Sequence, residues 1–144
     1  GKEGRIVNRE TEIAGDRYAI TCVSMGNPHC VVFSDPDEWA AEKIGPLFEN
    51  APIFPERTNT EFVKVLGKNE IKMRVWERGS GETFACGTGS CATVAALVLR
   101  GVCPRNVPVD VHLLGGILSI TITADDDILM TGPAETAFVG CVEV

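Results

Sequence analysis

One stretch constrains this chain more than any other: residues 76–101, WERGSGETFACGTGSCATVAALVLRG. Glu77-Arg78 closes a strand-like run, and Gly79-Ser80-Gly81 reverses the chain. Cys86 then precedes Gly-Thr-Gly and an uncharged, small-residue segment from Cys91 to Leu99 that ends at Arg100-Gly101. A cation in the last turn followed by glycine marks a helix C-terminus. A helix apolar all round belongs inside a domain. The pattern predicts one buried helix over roughly 88–100, with Cys86 just ahead of its first turn.

That placement has chemical consequences. Unpaired N–H groups and the positive end of the helix dipole sit at a helix N-terminus. They favour a thiolate, so Cys86 is expected to have a lowered pKa. The same groups can hold a carboxylate or phosphate. Gly87 and Gly89 carry no side chain to block its approach. The plainer alternative is a buried structural cysteine at a tight helix start, since free cysteine is usually just buried.

Composition narrows the function classes. The 144 residues suffice for one domain with a real core. The net charge of −7 and the lack of a long basic run argue against nucleic acid and against an anionic membrane surface. No apolar segment reaches transmembrane length; 92–99 is far too short. The chain begins Gly-Lys-Glu-Gly-Arg, which reads as no secretion signal and, without Met, as a processed or excised piece. None of the six cysteines (22, 30, 86, 91, 103 and 141) forms a Cys-x-x-Cys pair, so neither a structural zinc site nor a thioredoxin-type pair is expected. They read as reduced thiols of a cytoplasmic protein, most of them core filler.

Along the chain, residues 1–12 are polar and read as a linker or an entering strand. Strands are expected at 17–23 and 30–33, around the turn Gly26-Asn27-Pro28-His29. Asn27 can donate and accept hydrogen bonds, and His29 can exchange protons near neutral pH. For an isolated Asn-Pro-His, a capping Asn and a structurally bonded His are the commoner uses. Residues 35–50 read as a helix with Asp35 as N-cap and Pro36 first, broken or kinked at Gly45-Pro46, its acidic residues on a solvated face. Asn59, at the end of the next loop, is either a ligand-binding residue or a turn cap. Strands 61–66 and 71–76 flank a Lys68-Asn69 turn. Glu77-Arg78 is either a solvated pair or a clamp for a zwitterion, with Arg on a carboxylate and Glu either on an ammonium or tuning a thiol. Strands 107–114 and 116–123 flank Gly115-Gly116, an acidic turn follows at 125–127, and a last strand is expected over 136–144. Many short strands and one buried helix predict an α+β domain, a curved mixed or antiparallel sheet wrapped around that helix.

At this point the residues resemble a known family, diaminopimelate epimerase, in its C-terminal half. The matching segments are VSMGNPHCVVF (23–33), IGPLFENAPIFPERTNTEFV (44–63), MRVWERGSGETFACGTGSCA (73–92) and MTGPAETAFVG (130–140), in the family's order. The ERGSGETFACGTG string (77–89) is highly specific. The resemblance implies a cofactor-independent epimerase that interconverts LL- and meso-diaminopimelate with two cysteines on opposite faces of one α-carbon. Cys86 matches the second cysteine. Asn27, Asn59, Glu77 and Arg78 match substrate-binding positions, Gly87 and Thr88 the helix start that holds the α-carboxylate, and His29 and Glu77 the groups that tune the cysteines. The first cysteine of the family lies in an N-terminal half, in an Asn-Gly-x-Arg-Cys type segment that this chain does not contain. The implied partners are diaminopimelate and that N-terminal half, with room for a homodimer, and the implied inventory has no metal. In this reading residues 1–144 are one domain supplying one wall of the site, and 136–144 is a strand that normally returns to the other half.

Three other readings compete. Gly87-x-Gly89-x-x-Ala92 formally matches a dinucleotide fingerprint, but the turn at 79–83 stands where a buried strand is required. A relative acting on another substrate, such as a proline racemase-like enzyme, would share the fold. A non-catalytic binding domain would explain the missing first cysteine, but not the retained Cys86 and Glu77-Arg78.

Overall fold

The structure is a computed structural model and describes residues 6–35 and 41–144. Among the described residues nine strands form one sheet: β1 (Arg9–Ile13), β2 (Asp16–Ser24), β3 (Pro28–Phe33), β4 (Asn59–Gly67), β5 (Glu70–Glu77), β6 (Gly81–Thr83), β7 (Val109–Leu113), β8 (Gly116–Ile122) and β9 (Ile128–Thr131). Helix α1 spans Ala41–Glu49 and α2 spans Gly87–Leu99. The sheet order is β1-β2-β3-β4-β5-β7-β8-β9, with β6 paired to β5. Most neighbours are antiparallel, but β3–β4 and β5–β7 are parallel. Each parallel pair is joined through a helix, as parallel pairing requires a crossover.

Alternation along the central strands puts side chains on both faces. Val31 and Val63 face α2, in a core with Met73, Val75, Val94, Leu97, Val109, Val111 and Ile120. Cys30, Val32 and Phe62 face the other way, in a core with Tyr18, Ile20 and Phe48. Tyr18, Phe48 and Phe62 meet edge to face in that second core. Helix α2 touches β2, β3 and β4 as well as β8 and β9, which lie far apart in the sheet, so the sheet curls around it. The expected α+β architecture is therefore present. A full burial such as that of Leu97 contributes about 1.5–3 kcal/mol.

Helix α2 ends as its residues dictate. Gly101 sits at φ +72, Val102 N–H donates to the Leu97 carbonyl (2.9 Å) and Gly101 N–H to that of Val98 (3.0 Å). That paired pattern closes a helix through a left-handed residue, which glycine adopts freely. The Arg100 guanidinium lies 4.0 Å from the Phe33 ring centroid.

Four expectations need correction. Helix α1 runs unbroken through Gly45-Pro46. Gly45 lies flat against Trp76, where a Cβ would stand 2.4 Å from the indole, so this face of the helix is anchored by packing that outweighs the one hydrogen bond Pro46 removes. The acidic residues of this segment do not all lie on a solvated face: Glu49 is buried, and Asp35 pairs with Lys64. The Pro36 start of that helix lies outside the described residues. Residues 79–83 are more than a turn, since β6 folds back on the end of β5. Residues 136–144 form no strand; they pair with no other segment described here and are exposed throughout.

Candidate active site

The N-terminus of α2 sits where the starts of β3 and β4 and the end of β5 converge. Cys86 is the N-cap, extended at φ −140 and ψ 110, and its Sγ accepts a hydrogen bond from Gly89 N–H at 3.3 Å. Ser90 secures the turn by donating through both its N–H and its Oγ to the Cys86 carbonyl. The N–H groups of Gly87 and Thr88 belong to the first turn, which has no intrahelical acceptors. They are the pair able to take a carboxylate.

Two hydrogen-bond systems support this point. In the first, His29 is enclosed, with Nδ1 2.6 Å from Glu61 Oε1 and Nε2 3.0 Å from Asn27 Oδ1. Asn27 Nδ2 faces Thr88 Oγ1 at 3.5 Å, and Thr88 Oγ1 lies 3.6 Å from Cys86 Sγ. Asn27 and His29 are thus structurally bonded in their turn, and their bonds reach the helix start. In the second, Glu77 accepts from Thr83 Oγ1 at 2.7 Å, while Arg78 donates through Nη1 to the Glu56 carbonyl at 2.9 Å. The Arg78 turn is pinned from behind by Glu49. That carboxylate accepts from Trp76 Nε1 (2.7 Å), Gly79 N–H (2.9 Å) and Arg57 Nη1 (2.9 Å).

Asn59 is buried and tied down. Its Nδ2 donates to the Pro28 carbonyl (2.9 Å), and its Oδ1 accepts from Arg78 N–H (2.8 Å). It locks the His29 turn to the Arg78 turn, which leaves one amide hydrogen for any ligand. Cys30 follows His29 on a strand and so points to the opposite face of the sheet, away from Cys86. Gly87 and Gly89 also prove less open than expected. A Cβ on Gly87 would meet Met130 Sδ at 3.2 Å, and one on Gly89 would meet Glu61 Oε1 at 2.7 Å and Cys86 Sγ at 3.2 Å.

The expected lowering of the Cys86 pKa is not found. Burial pushes the thiol above its usual value, and the Glu77 carboxylate pushes the same way. The Thr88 hydroxyl and Gly89 N–H pull it down, but not enough. Cys86 therefore rests as a thiol, a proton donor. The site residue missed in the sequence is Glu61, fully covered at the centre of β4. Period-two alternation puts it on the same side as Val63, under α2; a carboxyl on the core face of a strand was the available signal.

No helix among the described residues is long and apolar enough to cross a membrane, and among those residues no group of His, Cys, Asp and Glu could hold a metal ion.

The fold is that of racemases and epimerases with known structures. A probable proline racemase from Agrobacterium radiobacter K84 matches with TM-score 0.61 at 13% identity, over 82% of this chain and 42% of that one. A hydroxyproline epimerase from Agrobacterium vitis matches with TM-score 0.59 at 14% identity, over 82% of this chain and 41% of that one. The sequence is more specific. The family model for diaminopimelate epimerase matches residues 21–137. The diaminopimelate epimerase of Synechocystis is 53% identical over 142 residues, covering 97% of this chain and 50% of that protein. That of Pelotomaculum thermopropionicum is 52% identical over 141 residues, with the same coverage. This chain belongs to the diaminopimelate epimerase family, and it spans about half the length of the curated relatives it matches.

Proposed function

We propose that this chain supplies one wall of a site that epimerises diaminopimelate, with Cys86 as the thiol that delivers a proton to the α-carbon. The observation that carries this reading is Cys86 capping α2 beside the unpaired N–H groups of Gly87 and Thr88. An α-proton is a very weak acid. Its removal becomes feasible only if the negative charge developing on the carboxylate meets fixed donors, and those two N–H groups are such donors. A base on the opposite face of the carbon takes the proton, and the Cys86 thiol gives its own proton to the near face. The configuration inverts and Cys86 is left as a thiolate; in the reverse direction that thiolate is the base. The opposing base belongs to the half of the relatives that lies beyond this chain. Arg78 and Asn27 stand at the rim to orient the zwitterionic substrate, and Glu77 faces its ammonium. A substrate of another racemase class is not favoured, since identity to diaminopimelate epimerases is 53% against 13–14% for the proline enzymes.

The test is α-hydrogen exchange in D₂O followed by NMR with diaminopimelate. The chain alone is expected to give no exchange. Addition of the N-terminal half of the Synechocystis relative is expected to give it, and Cys86→Ala then loses it by on the order of 10²–10⁴-fold. Exchange that survives Cys86→Ala overturns the reading.

A further inference from the structure

We propose that Glu61 is a positioning residue: as a protonated carboxyl it starts a one-way chain of hydrogen bonds, through His29, Asn27 and Thr88, that ends on the Cys86 sulfur. The purpose assigned to this chain rests on the reading of Cys86 as a proton-transferring thiol; the chain itself stands on the geometry.

Glu61 is fully covered. One oxygen meets His29 Nδ1 at 2.6 Å, and the other, Oε2, is buried with no hydrogen-bond partner among the described residues. An ionised carboxylate with an oxygen left unsatisfied is costly in such a place. A neutral acid is cheaper: its one O–H donates to Nδ1, and only a carbonyl oxygen goes short. Burial also drives the carboxyl toward its protonated form, against the pull of His29.

The remaining directions then follow one from another. Nδ1 accepts, so the proton of the neutral ring is on Nε2. Nε2–H donates to Asn27 Oδ1 at 3.0 Å, which fixes the amide with Nδ2 toward Thr88. Thr88 Oγ1 accepts that N–H, leaving its single O–H to point at Cys86 Sγ, 3.6 Å away. Bonds aligned in this way polarise one another. Reversing any link would turn the Thr88 hydroxyl off the sulfur. No proton travels along the chain; it sets only which way each donor points. The result is a sulfur that faces two donors, Thr88 O–H and Gly89 N–H, as suits a thiolate that has just lost its proton.

The groups that bear on Cys86 are Glu61 from β4, Glu77 from β5, and Cys91 on α2, whose own thiol is pushed up by burial first and by Cys86 second. His29 from β3 bears on it only through Glu61 and Asn27. A neutral Glu61 spares Cys86 one of the two carboxylate charges.

The test uses the 144-residue chain itself and is independent of epimerase activity. In the wild type, ¹⁵N NMR of the His29 ring, assigned against a His112→Asn control, is expected to show a protonated Nε2 and a bare, accepting Nδ1. A protonated Nδ1 overturns the proposal, and this measurement needs no change at position 61. The second readout is the pH profile of Cys86 alkylation by iodoacetamide, followed on its own peptide by mass spectrometry because five other thiols compete. Glutamine mimics the protonated acid, so Glu61→Gln should keep the profile within about twofold. Glu61→Leu should slow alkylation at neutral pH about tenfold, the worth of one hydrogen bond to a charged group. Thr88→Val should do the same, and the Glu61→Leu/Thr88→Val pair should be no slower than Thr88→Val alone. Additive losses, an unchanged Glu61→Leu profile, or a Glu61→Gln variant as slow as Glu61→Leu would each sink the chain.

Discussion

Among the described residues two glutamates are covered, one at the end of α1 and one under α2, and they are held in opposite ways. Glu49, at the end of α1, accepts from an indole, a backbone N–H and a guanidinium, and these donors hold its pKa below the usual carboxylate value, the Trp76 bond most of all. Glu61, under α2, has a single side-chain partner, His29, and burial holds its pKa above the usual value. Depth of burial and the number of donors aimed at a carboxyl together decide which form is stable. Glu49 near the rim works as a fixed anion that clamps the Arg78 turn, whereas Glu61 at the centre of the sheet is a neutral acid.

The hardest test of that contrast is His29→Ala. It should cost about 3–4 kcal/mol in urea unfolding, because it deletes a buried ring and strands the second oxygen of Glu61 as well as the first. A loss under 1 kcal/mol would mean that Glu61 finds another partner and that the contrast with Glu49 is false. Next comes Glu49→Ala, which leaves Trp76 Nε1–H and Gly79 N–H without their acceptor. Water reaches this rim, so a smaller loss of about 2 kcal/mol is expected. It should come with looser Arg78 turn amides in hydrogen exchange; unchanged protection there would contradict the clamp.

The smallest effects separate the two charge states. Glu61→Gln should change stability at pH 7 by less than about 1 kcal/mol, and Glu49→Gln should cost about 1–2 kcal/mol. Their pH dependences have opposite signs. The folded pKa of Glu49 is depressed, so its contribution is present above the unfolded value of about 4.3 and is lost as pH falls through the folded value. The folded pKa of Glu61 is raised, so its contribution is full below about 4.3 and is lost as pH rises through the folded value. Urea midpoints across pH should therefore lose their acid-side slope in Glu49→Gln and a downward slope above about pH 4.3 in Glu61→Gln. The same slope lost in both variants would erase the distinction.

Much of the fold could be read from the residues, because its signals are local. Uncharged small residues after Cys86 and a cation before Gly101 mark α2 to within a residue at either end, and β-branched runs between glycine turns mark β2, β3, β5 and β8. The site was legible where the motif is contiguous, as with Cys86 as a cap and Asn27-Pro28-His29 as a turn. What could not be read is set by contacts between distant segments. The upward shift of Cys86 comes from burial first and then from the Glu77 carboxylate at the end of β5. Glu49 looks like the polar end of an amphipathic helix until Trp76 and Gly79 fold over it. Gly45-Pro46 looks like a break until the indole is seen to need that bare surface. Residues 136–144 have strand-forming composition, but a strand needs a neighbour, and none of the described segments pairs with them.

The bond from Trp76 to Glu49 makes the chain its own optical probe. The indole is stacked on Gly45, anchored through its N–H, and shares its acceptor with the backbone of Gly79, one residue past Arg78. A ligand that draws Arg78 inward tugs on that shared carboxylate and alters the polarity the ring senses in its excited state. Occupancy of the site should therefore shift the emission of Trp76, read in a Trp39→Phe background because the chain has a second tryptophan.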